Sequence, residues 1–224
     1  MKKKILVIAA HPDDEVLGCG GTILKYAKKG HIVHTLFISD GESSRKSKDI
    51  IRLVEQRKNA ALKASKLLGV KKVIFCDYAD NKLDKVPLIS IVKTLEKYIK
   101  KFNPKIIFTH HFNDLNIDHR IVSKAVTTAC RPNINNSVEL ILFFEILSST
   151  EWQISDNKKI FAPNWYENIS KEMIKKIKAI KFYKKEMRKY PHPRSIRSIK
   201  SLSQFRGVSS GYNYAEAFVL GRKR

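Results

Sequence analysis

The sequence predicts an α/β domain: a mostly parallel, Rossmann-like sheet flanked by helices, three layers in all. Two observations carry that prediction. Short apolar runs rich in β-branched residues alternate along the chain with longer stretches of helical period, the pattern of strand–helix–strand units winding into a parallel sheet. The runs are also continuously apolar, as Ile5-Leu6-Val7-Ile8 is, which marks strands buried on both faces. No repeat, low-complexity linker or shift of composition divides the 224 residues. That length suits a single domain over 1–224 with a sizeable core.

Taken in order, the first strand stops at Pro12, which has no N–H to give to a ladder. Asp13 or Asp14 then stands ready to cap a helix. Thr22–Lys29 reads as helical, with Gly30 in the position after the helix that glycine favours. Gly18, Gly20 and Gly21 do not make a dinucleotide fingerprint, because Ile23 stands where G-x-G-x-x-G needs its last glycine. His31–Ser39 reads as the second strand, on which His31 and His34 point to opposite faces and are structural. Asp40-Gly41-Glu42 is a turn, and Ser43–Lys48 a polar loop near the strand tips. Asp49–Leu68 has helical spacing throughout and Gly69 closes it. Lys72–Cys76 is a third strand, Asp77–Lys85 a loop, Val86–Lys101 an amphipathic helix. Lys105–Phe108 is a fourth strand after the Asn103-Pro104 turn signal. Asp118–Cys130 reads as a helix stopped at Arg131-Pro132, Val138–Ile146 as a fifth strand, and Leu147–Trp152 as a polar turn with an exposed aromatic. Asn168–Lys189 reads as one amphipathic helix with Ile169, Met173, Ile177, Ile180, Tyr183 and Met187 on its apolar stripe. Pro191-His192-Pro193 presents a histidine rigidly in a loop, and Ala215–Leu220 is the last strand.

Composition narrows the function classes. The net charge of +23 raises the question of a polyanionic partner. The lysines are spread along the chain, densest over Lys171–Lys189, with no DNA-reading module or aromatic-interleaved RNA motif beside them. A compositional bias toward Lys, Ile and Asn accounts for the charge, and nucleic acid is not the expected partner. Three widely spaced cysteines, Cys19, Cys76 and Cys130, exclude a disulfide scaffold and a cysteine zinc site. The longest apolar run, Leu140–Phe144, falls far short of the ~20 residues a membrane span needs. The apolar segment after Lys2-Lys3-Lys4 reads as a strand and not a signal peptide, so a cytoplasmic protein is expected.

Chemistry gathers at two strand ends, where open α/β sheets place their ligands. His11 and Asp14, three apart on a tight turn, suit a borderline ion such as Zn²⁺, whose catalytic sites use three protein ligands and a water. Asp13 is then free to act on the water. Helix capping by Asp13 and Asp14, with His11 paired to one of them, is the better explanation of the segment alone until a third ligand is found. Phe108–Arg120 supplies candidates after the fourth strand: His110, His111, Asp114, Asp118 and His119.

Ala10–Glu15 (A-H-P-D-D-E) with Asp118-His119 downstream resembles the signature of the LmbE-like or PIG-L-like metal-dependent N-deacetylases. Asp80–Asp84, Asp114–Arg120, Phe144–Trp152 and Pro191–Ser195 extend the likeness to a bacterial branch over nearly the whole chain. The resemblance implies one Zn²⁺ per chain held by His11, Asp14 and His119, a set that accepts other divalent ions too. It implies Asp13 as general base, Asp118 orienting a histidine, and loss of an N-acetyl group from a GlcNAc-type sugar, nucleotide- or lipid-linked among the options. Arg57 is then a substrate or oxyanion contact, Asp80 and Asn81 contact sugar hydroxyls, and Arg194 binds substrate. Where many members carry a histidine three positions before the ligand histidine, this chain has Asn116, whose amide donates a hydrogen bond but cannot shuttle a proton. His192 is therefore the expected proton donor, with a double role for Asp13, or His110 or His111, as alternatives. The partner implied is a small N-acetylated sugar, which the positive charge favours on an anionic carrier, and family members often assemble as homo-oligomers. Hydrolysis of another amide, such as a thiol conjugate, is the alternative function; a basic nucleic-acid-binding protein is a distant one.

Overall fold

Seven strands, β1 (Lys4–Ala9), β2 (Ile32–Ser39), β3 (Lys72–Tyr78), β4 (Ile106–His110), β5 (Leu140–Phe144), β6 (Trp165–Asn168) and β7 (Ala215–Lys223), hydrogen-bond into one sheet. Its order is β3-β2-β1-β4-β5-β7-β6. The first five strands run parallel, and β7 and β6 close one edge antiparallel. The computed structural model describes residues 2–134, 136–154 and 160–224. Six helices complete it: α1 (Asp14–Lys28), α2 (Ile50–Leu68), α3 (Leu88–Phe102), α4 (Ile117–Ala129), α5 (Met173–Ile180) and α6 (Ile196–Val208). The α/β, mostly parallel architecture expected from the strand–helix alternation is present.

Continuous apolar strands follow from two buried faces. Along β1, Ile5, Val7 and Ala9 join the core beneath α1, α2 and α5, while Leu6 and Ile8 join the core beneath α3 and α4. The same alternation splits Ile106 and Phe108 from Ile107, and Leu142 and Phe144 from Ile141 and Phe143. With β1 central, β2 and β3 build outward on one side and β4 and β5 on the other. The carboxyl ends of β1 and β4 thus meet where the winding reverses, and a crevice opens there in such sheets.

Two expectations are corrected, and one helix not anticipated is added. The first helix begins at Asp14 rather than Thr22, because the glycines lie inside it. A Cβ at Gly18 would lie 2.5 Å from the Phe144 ring and one at Gly21 2.7 Å from Ile169. Their job is close approach. The helix breaks at Cys19 (φ −147°), and the N–H groups of Gly21 and Thr22 are taken up by Glu216 (2.8 and 2.7 Å). Lys176 bridges the break, donating to Leu17 O at 2.9 Å and Glu216 at 2.6 Å. Second, the long helix expected over Asn168–Lys189 is only α5, preceded by the unforeseen edge strand β6. Past Ile180 the chain unwinds so that Tyr183 and Glu186 turn inward, and it carries Arg194 back to the site. The added helix, α6, follows that excursion, capped by Ser195, whose hydroxyl accepts from Ser198 N at 3.1 Å. Ser195-x-x-Ser198 is the local signal for that start. His31 and His34, read as structural, lie away from the strand tips: His34 packs on Phe102 with ring centroids 4.4 Å apart.

Candidate active site

Two turns bring the ligand-type residues together. After β1 the chain passes through Asp13 at φ 132°, ψ −29°, a backbone conformation costly for a side-chain-bearing residue. Asp13 stands at the N-cap of α1, yet its carboxylate caps nothing. After β4, Asn116 caps α4, its Oδ1 accepting from Asp118 N at 2.8 Å and His119 N at 3.4 Å. Its Nδ2 donates to Asn81 Oδ1 at 3.3 Å. The amide of Asn116, placed with the catalytic residues on the family likeness, is thus engaged in aiming the first turn of α4.

His11 Nδ1, Asp14 Oδ2 and His119 Nε2 form a nearly equilateral triangle with sides of 3.2, 3.3 and 3.2 Å. Ligands ~2.0–2.1 Å from a tetrahedral ion lie about 3.3 Å apart, so the three atoms already have the spacing of one face of such a site. Their other atoms are held in the way metal-binding histidines are usually held, by carboxylates on the far ring nitrogen. His11 Nε2 meets Asp80 Oδ1 at 3.1 Å and Asp118 Oδ2 at 3.3 Å. His119 Nδ1 meets Asp114 Oδ1 at 3.1 Å. Each carboxylate is thus placed to accept a hydrogen bond from the outer N–H, the arrangement in which the inner nitrogen can bind an ion. Asp118 is itself fixed by the N–H groups of Asn81 (2.8 Å) and Leu83 (3.1 Å). Asp114 accepts from the hydroxyls of Ser149 and of Thr150, the latter at 2.6 Å.

The electrostatics favour a cation. Burial lowers the affinity of His119 for a proton, yet Asp14 and Asp114 outweigh it and push its pKa up to about 9. Burial opposes charge on His11 as well, and hydrogen bonds with Asp118, Asp14 and Asp80 again raise it well above the ordinary value. A site this anxious for positive charge, with inner nitrogens aimed at one carboxylate oxygen, fits a divalent ion of the zinc type. A second group, His11 with Asp80 and Asp118, uses the outer nitrogen of the same ring and belongs to this support. His110 stacks on His119 at 3.9 Å, and its Nε2 accepts from Ala10 N at 2.8 Å. Burial and neighbouring His119 hold it well below its ordinary pKa, so it packs as a neutral ring.

Beside the triangle lies Asp13. Its Oδ2 takes Arg194 Nη1 at 2.8 Å and Arg57 Nη2 at 3.2 Å. Its Oδ1 is buried and has no hydrogen-bond partner among the described residues. Burial raises its pKa and the two arginines pull it back, leaving it at about 6. Arg57 is only 6% exposed. It donates to Pro12 O at 2.5 Å and pairs with Glu42 and Glu186 besides Asp13. Its guanidinium, expected at the substrate, is thus held against Asp13 and two glutamates and is nearly closed to solvent. Asp80 is likewise buried, with Ser44 Oγ on its second oxygen, and so faces His11 and not a sugar. Asn81 has an exposed side chain, and Arg194 is partly exposed; these two of the four expected contacts stay at the mouth. His192 lies half-buried on the same loop as Arg194, whose N–H donates to His192 Nδ1 at 3.0 Å.

Several members of this arrangement escaped the sequence. Asp114 stood among the candidates after the fourth strand and Ser149 and Thr150 in a segment of the family likeness, but with no role assigned, and Glu42 and Glu186 lay in stretches read as turn and helix. None shows a local pattern; each is recognised by what it touches.

A family model described as GlcNAc-PI de-N-acetylase (PIG-L) matches residues 6–130. The chain is 31% identical over 189 residues to an uncharacterized deacetylase, YaiS, of Escherichia coli K12, covering 82% of this chain and 91% of that one. It is 28% identical over 234 aligned positions to the diacetylchitobiose deacetylase of Thermococcus kodakarensis, with 98% and 84% covered. The solved structure of the N,N'-diacetylchitobiose deacetylase from Pyrococcus horikoshii, complexed with an inhibitor, superposes with a TM-score of 0.79 at 25% identity over 97% of this chain and 83% of that one.

Proposed function

The chain belongs to the PIG-L family of de-N-acetylases, and on that premise we propose that it is a zinc-type metal-dependent hydrolase removing the acetyl group from an N-acetylglucosamine-type sugar. One observation carries the reading: a ligand triangle of tetrahedral spacing beside a buried carboxylate oxygen that has no other partner. Asp14 Oδ1 is also without a partner among the described residues but belongs to a ligand residue, so Asp13 Oδ1 is the acceptor left for the proton of an activated water.

A divalent ion bound by His11, Asp14 and His119 supplies Lewis acidity and brings the pKa of a water toward about 7. Asp13 does the proton work. Its Oδ2 is fixed by two arginines, so Oδ1 presents its lone pair in one direction. The water gives a proton to Oδ1, its oxygen adds to the acetyl carbonyl, and the carbon–nitrogen bond breaks as the nitrogen is protonated. Acetate and a free amino sugar leave. We assign that last proton to His192 acting as an imidazolium, which becomes neutral on giving it up, and the proton taken up by Asp13 restores the ring as the site resets. Asn81 and Arg194 at the mouth contact the sugar, and Arg194 suits an anionic carrier such as a diphosphate.

The test is primary-amine release from a panel of free, UDP-linked and lipid-linked N-acetylated sugars, with and without a chelator. Release that the chelator abolishes and zinc restores is expected from at least one member. No release from any, in protein carrying its metal, overturns the reading. Replacing His192 by alanine is expected to slow turnover at least about tenfold with metal content unchanged. An unaltered rate would return the donor role to Asp13.

A further inference from the structure

Trp152 is half exposed, at 49%, although a ring of its size is usually well buried. It is also held on an unusually tethered turn. Glu151 accepts the N–H groups of Ser148 (2.6 Å) and Ser149 (3.2 Å). The hydroxyls of Ser149 and Thr150 bind Asp114, and Thr150 Oγ1 accepts from Ile146 N at 2.7 Å. Gln153 reaches across to Asn113 Oδ1 at 3.3 Å. Ser148, in left-handed backbone at φ 67°, accepts from Arg194 Nε at 2.8 Å.

The turn is therefore bound on one side to the carboxylate that orients His119, and on the other to the arginine that clamps Asp13. Trp152 sits on this frame with its ring meeting His192 edge-on, centroids 5.7 Å apart at 76°. The near-perpendicular contact restrains the indole while half of the residue stays exposed. A rigid, open aromatic face beside a polar site is what a small-molecule pocket uses to set orientation.

We propose that Trp152 is a substrate-positioning residue whose indole face takes the C–H face of a pyranose ring while the acetamide enters between Asp13 and the ligand triangle. A pyranose has an apolar face and a polar rim, so the indole takes the one and leaves the hydroxyls to Asn81 and Arg194. That contact, remote from the reacting bond, is made alike in the bound substrate and in the transition state, so it sets where the ring sits and how tightly it is held. The ligand class is a cyclic amino sugar rather than any acetamide. The inference rests on the sugar-deacetylase reading.

Emission of Trp152, taken as the difference between the metal-loaded protein and its Trp152→Phe variant, is followed during titration with N-acetylglucosamine, N,N'-diacetylchitobiose and acetamide. Trp165→Phe protein, in which Trp152 is the remaining indole of two, repeats the titration. A saturable change with a sugar and none with acetamide is expected. Trp152→Ala is expected to raise KM about tenfold or more with kcat within about threefold, while Trp152→Phe stays near the parent. Turnover of a sugar that leaves Trp152 emission and the KM of Trp152→Ala unmoved overturns this inference alone. Absence of both turnover and emission change overturns it together with the deacetylase reading. A Trp152 signal that changes on dilution without sugar assigns the ring to an interface between copies and also overturns it.

Discussion

Asp13→Asn protein is expected to bind its metal normally and to turn over about 10²–10⁴-fold more slowly than the parent, the range associated with loss of a positioned base. Asparagine keeps the shape and still offers an oxygen to Arg57 and Arg194, so the clamp survives in part. What disappears is a basic lone pair at the position of Oδ1. Asparagine also tolerates unusual backbone better than most residues, which matters at φ 132°. Metal content by atomic emission, thermal unfolding and single-turnover rates on the same preparation separate the three effects. A rate within tenfold of the parent, with metal bound, removes Asp13 from the base role. Loss of metal would place it among the ligands instead.

His119→Ala is expected to weaken zinc binding by at least about 100-fold, more than the 10–100-fold typical of losing a partner that merely orients a ligand. Asp80→Asn, which touches the ligand triangle only through the outer nitrogen of His11, is expected to fall within that smaller range. Competition with a chromogenic chelator reads both. The reverse ranking would shift the ion to the other group that includes His11, with Asp80 and Asp118. The difference has a simple origin. Removing His119 opens one corner of a triangle whose sides are 3.2–3.3 Å. Removing the Asp80 charge leaves Asp118 still accepting from the same ring nitrogen.

The strand-to-helix alternation was legible because each buried strand is a run of neighbours: Ile5–Ile8 is apolar residue by residue, and both helical layers demand it. His11, Asp14 and His119 were legible as ligand types at two strand ends, and their convergence needed only the adjacency of β1 and β4. Helix α2 and its glycine terminus, Gly69 in left-handed conformation at φ 76°, were legible for the same local reason. The stripe over Ile169–Met187 misled. Its helical spacing is real as far as Ile180, but Tyr183 leaves the helix to donate to Glu15 Oε1 at 2.5 Å, and Glu186 leaves it to meet Arg45 and Arg57. Burial and hydrogen bonding at those two positions outweigh a propensity worth only tenths of a kcal/mol per residue.

By itself the sequence determined the sheet, the two strand tips and the kinds of atom presented there, since these rest on residues close together in the chain. Tertiary structure decided which nitrogen of each histidine faces inward, because the deciding carboxylates are Asp80 and Asp118 for His11 and Asp114 for His119. It decided that Arg57 stands behind Asp13 rather than in front of it, through Glu42 and Glu186. It also tied the turn that carries Trp152 to Asp114 and set the indole against His192. Each of these is a contact between side chains on different elements, made only when the sheet has brought their loops to one edge, and no spacing along the chain records it.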